Sequence, residues 1–221
     1  MVLSNAQWFV APSVVELSAV SNAVSTSNAT EYTFSSQALG TASASRRIVV
    51  GSSGHLGSGT TSISSMTING VSAAQDVAIT PSDGGSHLEI WSAAVPSGTS
   101  GDIVVTWGAT LSACGIGAWA IYNAASSASD TATNKSNPLS ATIDCPAGGA
   151  IIGYAGINDD SDKSFAWTNL TENFDGEVDP YWFHSGASDA FSTQQSSRSV
   201  TVVVNATNVK GRGLALASWG T

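Results

Sequence analysis

The sequence predicts an all-β chain: an antiparallel double-sheet sandwich of jelly-roll type, preceded by an N-terminal arm. Three observations carry that expectation. Short β-branched runs recur behind turns of small residues, most clearly in residues 97–107, where Ser97-Gly98-Thr99-Ser100-Gly101 leads through Asp102 into Ile103-Val104-Val105-Thr106-Trp107. Such a run has the two-residue period of a strand and places Ile103, Val105 and Trp107 on one face. No segment carries the apolar repeat of a helix, and sheets without helices bury their inner faces against one another. Long loops between the strands favour Greek-key connections over a plain meander, with a closed barrel as the competing arrangement.

The 221 residues suit one large sandwich, so the chain divides into an arm over residues 1–13 and a single domain over 14–221. A charged fraction of 10% against 42% hydrophobic residues excludes a disordered chain. The arm carries Trp8 and Phe9 and closes at Pro12. Exposed aromatics on an arm are a liability, so these two are expected to dock on this domain or on a neighbour.

After the arm comes the apolar run 14–17, followed by a long Ser/Asn/Thr stretch to Thr30. Residues 31–34 alternate as a strand, and 45–52, centred on Ile48-Val49-Val50, read as a buried one. Asn69-Gly70 between residues 65–68 and 71–73 predicts a type I′ hairpin, because both turn positions tolerate positive φ. Residues 77–80 continue the meander until Pro81-Ser82-Asp83-Gly84-Gly85 breaks it. In the strand over 87–95, Leu88, Ile90 and Ser92 take one face and Glu89, Trp91 and Ala93 the other.

Gly115 and Gly117 lie inside the strand-like run 113–122, where glycine marks a bulge or the close approach of a bulky neighbour such as a tryptophan. Residues 124–137 lack periodicity and read as a surface loop. Strands over 150–156, 163–168, 172–174, 181–184, 199–205 and 213–219 complete the reading.

A net charge of −9, with Arg46-Arg47 the one adjacent basic pair, argues against a nucleic-acid partner. No basic, apolar leader opens the chain and no apolar run approaches the ~20 residues of a membrane span, so neither a signal peptide nor a membrane partner is expected. Cys114 and Cys145 allow a single disulfide, with two small buried side chains as the more ordinary reading. The Asn-X-Ser/Thr sequons at Asn28, Asn134, Asn169 and Asn205 are expected by chance in so Ser/Thr-rich a chain.

The candidate chemistry is concentrated in residues 159–189. Asp159, Asp160, Asp162, Glu172, Asp175, Glu177, Asp179 and Asp189 are half of the 16 acids, with Lys163 as the one base among them. Asp159, Asp160 and Asp162 form an acidic loop whose hard oxygens suit Ca²⁺, although an EF-hand's glycine and distal glutamate are missing; the competing reading is a solvated turn. Trp167, Tyr181 and Trp182 interleave with these acids, and an aromatic face beside hydroxyl-accepting carboxylates is a means of binding glycans; core packing is the ordinary alternative. Three histidines, His55, His87 and His184, with no Gly-X-Ser-X-Gly elbow give no sign of a nucleophilic hydrolase. No Cys/His spacing suits zinc, and paired carboxylates alone do not define a glycosidase. No catalytic residue and no required cofactor is expected.

Several segments together resemble a family of β-sandwich structural proteins of tailed bacteriophages and prophages, mainly alphaproteobacterial. They are Leu39-Gly40-Thr41-Ala42 with residues 45–50, Ile68-Asn69-Gly70-Val71-Ser72-Ala73, residues 97–107, Cys114-Gly115-Ile116-Gly117 with Trp119-Ala120-Ile121-Tyr122, and Ser185-Gly186-Ala187-Ser188-Asp189. The resemblance implies a virion protein assembled in the bacterial host cytoplasm, with no enzymatic activity. Its partners would be the major capsid protein or tail proteins, and it would form a homo-oligomer. Within that class the leading expectation is a capsid decoration protein attached through the arm. The alternative is a tail or fibre module that recognises host glycans.

Overall fold

The computed structural model describes residues 14–56, 59–81, 86–159, 163–205 and 209–221. Among them are seventeen strands and no helix, and every strand pairing is antiparallel. The strands form four sheets, none of them closed into a barrel. The predicted all-β antiparallel sandwich is therefore what the chain builds, but it builds the sandwich twice.

The first unit uses residues 16–122. One of its sheets runs in the order β1 (Glu16–Ser25), β9 (Ala113–Tyr122), β3 (Arg46–His55), β7 (Ser86–Ala94), β6 (Ala74–Ile79). The facing sheet runs β2 (Ala29–Ala38), β8 (Ser100–Leu111), β4 (Ile63–Ile68), β5 (Val71–Ser72). The second unit uses residues 130–219, with one sheet in the order β10 (Asp130–Asn134), β17 (Gly211–Trp219), β12 (Ala150–Asn158), β15 (Trp182–Ala190), β14 (Thr171–Asp179). Its facing sheet is β11 (Leu139–Cys145), β16 (Gln195–Val204), β13 (Phe165–Thr168).

Set side by side, the two strand orders are the same. First, second and third strands of one unit correspond to first, second and third of the other, and the last three likewise; the first unit has one additional short strand, β5. In each unit the chain crosses between the two sheets at most connections, the exceptions being the hairpins β4–β5, β6–β7 and β14–β15, a path consistent with a jelly roll.

Three apolar clusters separate the four layers. Tyr32, Phe34, Ile48, Val50, Trp91, Ile103, Val105, Trp107, Cys114 and Ile116 fill the first unit. Leu139, Ile143, Ile151, Ile157, Phe183, Val200 and Leu214 fill the second. Between the units lies a shared core containing Val49, Leu88, Ile90, Trp119, Ile121 from one side and Ile152, Tyr154, Trp182, Ala215, Trp219 from the other.

The five-stranded sheets thus have no solvent face in their central strands. Leu88 and Ile90 of β7 turn to the shared core while Trp91 and Ala93 turn inward, so the two faces read from the sequence are both buried. Ile103, Val105 and Trp107 share the predicted inner face at 0, 0 and 2% exposure.

Glycines let the five-stranded sheets approach. A Cβ on Gly51 would stand 2.6 Å from the Tyr154 ring, and one on Gly117 would strike Phe174. The close neighbour expected at Gly117 is therefore present, but it is phenylalanine rather than tryptophan; Gly115 receives Val178 and His184.

The Asn69-Gly70 turn has φ of 51° and 77° and joins the paired residues Ile68 and Val71, as a type I′ hairpin requires. Of residues 77–80, expected to extend that meander, 77–79 instead belong to β6, which crosses to the other sheet and pairs with β7. The Ser/Asn/Thr stretch up to Thr30, to which the sequence reading gives no strand, is β1 and the start of β2: its small polar side chains occupy an edge strand whose backbone bonds to β9, and a bulge between Ala19 and Ser21 turns both Val20 and Ala23 towards the first core. Residues 130–134, within the expected surface loop, form edge strand β10. Cys114 and Cys145 are free thiols in separate cores, so the disulfide alternative does not hold; burial pushes their pKa values up to about 12 and about 11.

Candidate functional site

A cleft of about 440 Å³ opens where the two units meet, at the far end of β3 and β14. The first unit contributes Thr26 and Asn28 from the β1–β2 turn, His55 from the last position of β3, and Ser112 from the β8–β9 junction. The second contributes Asp179, the last residue of β14, and Tyr181 from the turn into β15.

Asp179 ties these parts together. Its Oδ2 accepts hydrogen bonds from His55 Nδ1 at 3.0 Å and Ser112 Oγ at 3.2 Å, and its Oδ1 accepts the Tyr181 N–H at 2.8 Å. Burial raises the carboxyl pKa, but the bonds from His55, the Tyr181 backbone and Ser112 outweigh it and hold the group below the ordinary carboxylate range. Asp179 is therefore ionised at neutral pH, and the proton it accepts from His55 sits on Nδ1.

That assignment decides the chemistry. Ser112 Oγ also approaches Nδ1, at 3.5 Å, so hydroxyl and carboxylate compete for the same ring nitrogen. A nucleophile–base–acid relay needs the carboxylate on one nitrogen and the serine on the other, which is unprotonated. Here the second nitrogen, Nε2, faces Asn158 Nδ2 at 3.5 Å. The triad of residue types is present without the relay geometry, and its shape is that of a node fastening two sheets.

The other buried polar groups are also fasteners. Glu89, wholly buried, accepts from Ile63 N–H at 2.8 Å, Trp91 Nε1 at 2.7 Å and Gln75 Nε2, and lies 3.0 Å from His87 Nε2. Burial raises its pKa and these donors more than offset that, so its carboxyl is held low. In the shared core, Tyr154 Oη bonds to His184 Nδ1 at 2.7 Å and to Ser53 Oγ at 3.1 Å. Burial pushes His184 down to about 3, which keeps the ring neutral between Phe174 and Tyr154.

Comparisons with protein-family models, curated proteins and solved structures found no match.

The residues singled out from the sequence are dispersed. Trp182 has no exposed surface and packs over Gly156 in the shared core, so it offers no ring face to a glycan. Trp167 is half-buried against the second core and donates Nε1–H to Ser185 Oγ at 2.8 Å. Tyr181 is 51% exposed and lines the junction cleft.

Asp159 is fully buried with its Oδ1 3.2 Å from Lys163 Nζ, which places a cation of the chain itself beside the carboxylate expected to ligate Ca²⁺. Asp160 and Asp162 lie outside the described residues, as do Trp8 and Phe9 of the arm. Among the described residues no three His, Cys, Asp or Glu side chains gather as a metal site, and no helix is long and apolar enough to cross a membrane.

Sequence reasoning passed over His55, Ser112 and Asn28. His55 ends a strand and Ser112 separates two, positions where a polar residue ordinarily meets solvent; their proximity to Asp179 depends on how the units stack. A larger groove, about 590 Å³, runs beside β1 and the β2–β3 connection, but its Tyr122 hydroxyl is bonded to the Thr41 carbonyl at 3.0 Å and no ion pair among the described residues lines it.

Proposed function

We propose that this chain is a non-enzymatic virion structural protein of a tailed bacteriophage, a capsid decoration protein attached through its N-terminal arm. The observation that carries the reading is the stacked duplication. Two sandwiches of one strand order bury a common core, and the described buried carboxylates and histidines hold strands to strands. Such a body suits mechanical duty on a particle surface, and fold alone does not make it an enzyme. The segments that resemble phage structural proteins support the same class.

Attachment is assigned to residues 1–13, with Trp8 and Phe9 as anchors, on the major capsid protein or a tail protein. Val15, just before β1, is fixed by its N–H, which donates to the Gly148 carbonyl at 2.7 Å. The same reading places the protein in the virion as a homo-oligomer. The alternative role, a tail or fibre module for host glycans, draws on the exposed ring of Tyr181 and no longer on Trp182.

The test is occupancy on particles. Imaging of intact virions is expected to find the protein on the head surface, and deletion of residues 1–12 is expected to abolish decoration while leaving the isolated domain folded. Absence of the chain from particles would reject the virion reading. Full occupancy by the truncated protein would reject the arm.

A further inference from the structure

We infer that the junction cleft between the two sandwiches is a saccharide-binding site in which Tyr181 supplies the stacking face and Asn28, Thr26 and Ser112 supply hydrogen bonds to hydroxyls. A single exposed aromatic is ordinary on a protein surface, so exposure alone does not carry the assignment. Three features of this ring do.

First, the ring is held on a fixed base. The Tyr181 N–H donates to Asp179 Oδ1 at 2.8 Å and the Tyr181 carbonyl accepts from the Asp159 N–H at 3.0 Å, so both backbone groups of the residue are pinned. The ring is 51% exposed on this rigid turn and stands 6.3 Å from the His55 ring, centroid to centroid. A platform that is already ordered loses little entropy when a ligand stacks on it.

Second, the hydrogen-bonding capacity of the cleft is left open in one particular way. The exposed side chains of Thr26 and Asn28 bond to no described residue, and Ser112 Oγ, with a single proton to share between the His55 carbonyl and Asp179, keeps acceptor capacity. Thr26 and Asn28 are neutral groups that both donate and accept, and Ser112 adds an acceptor, the pattern that matches hydroxyls. Asp179 already accepts three hydrogen bonds, which favours a neutral polyol over a cation.

Third, the volume of about 440 Å³ lies within the ordinary range of small-molecule sites, and Leu56 and Pro180 give part of the wall an apolar surface for the C–H face of a pyranose.

Saccharide binding does not depend on the decoration reading and is measured on the isolated chain without particles.

The experiment is ligand-observed NMR of the full chain against a panel of hexoses, N-acetylhexosamines, uronic acids and their β- and α-linked disaccharides. At least one neutral member of the panel is expected to bind. Tyr181→Ala should weaken that ligand by about tenfold or more, and Asn28→Ala by roughly threefold to tenfold. Both side chains are exposed, so near-UV circular dichroism and the melting temperature should be those of the parent. Failure of every saccharide to bind overturns the assignment. So does binding that Tyr181→Ala leaves unchanged, or that is lost with Trp167→Ala and kept with Tyr181→Ala.

Discussion

The Arg46 guanidinium, 1% exposed, meets five carbonyl oxygens and no carboxylate. Its Nε donates to Val95, one terminal nitrogen to Leu39 and Gly40, and the other to Ser97 and Gly98, at 2.7 to 3.0 Å. All five N–H groups are used, and the small-residue turn over 97–101 closes around the side chain. Arg46→Lys offers three donors without the planar fork, leaving carbonyls unmet, and should lower stability by about 2–4 kcal/mol in urea unfolding. An unchanged midpoint would mean that water replaces the guanidinium. His184 sets a pH dependence. Its folded pKa, about 3, lies below the ordinary 6.5, so between those values the unfolded chain binds the extra proton and stability falls as pH falls. The unfolding free energy should decline by on the order of 1 kcal/mol per pH unit from about pH 6 towards 3. In His184→Gln, which keeps a bond to Tyr154, that part of the slope should vanish; a slope that persists would have to come from the carboxylates.

At the scale of elements, the stack depends on strands that carry no side chain where a neighbouring sheet drives one in. Gly117 of β9 lies under the Phe174 ring of β14, which also packs against Gly186 of β15. Gly117→Ala should therefore destabilise the chain by about 1–3 kcal/mol through overpacking, and Phe174→Leu, harmful alone, should recover part of that loss in the double variant. Additive thermal shifts in the two single variants and the double would deny the contact. Edge strands differ in how they are protected. β14 shows Glu172, Asp175 and Glu177 to solvent, charges that oppose pairing with a foreign strand, whereas β1 presents Ser18, Ala19, Asn22 and Val24 and relies on its bulge.

For the whole molecule, the shared core makes the two units interdependent. Trp119, Trp182 and Trp219 are wholly buried there, and separating the units would open that layer to water. Calorimetry should show one unfolding transition for the intact chain. Fragments covering 14–124 and 125–221 should bind a hydrophobic dye when made separately and co-purify when made together; two soluble, dye-free monomeric fragments would contradict the interdependence. The arrangement resembles an isologous dimer joined into one chain: β6 packs over β10 and β17, while β1 packs over β14 and β15 at the opposite edge.

Alternation at 87–95 and 103–107, the Asn69-Gly70 hairpin and the close approach at Gly117 depend on neighbours along the chain or on side-chain volume, and the sequence by itself determined them. It also carried an unread signal. Residues 113–121, 150–158 and 213–219 have almost no polar position on either face, which a two-layer sandwich with one wet side does not allow. Of the junction cleft, only Tyr181 and Asp179 stood among the candidate residues in the sequence. His55, Ser112, Asn28 and Asp179 are brought together from four turns and strand ends by the stacking of two sheets across a core whose contacts are far apart in sequence. No local pattern encodes that stacking, because it is the burial of two whole faces, summed over many weak contacts, that fixes which ends meet.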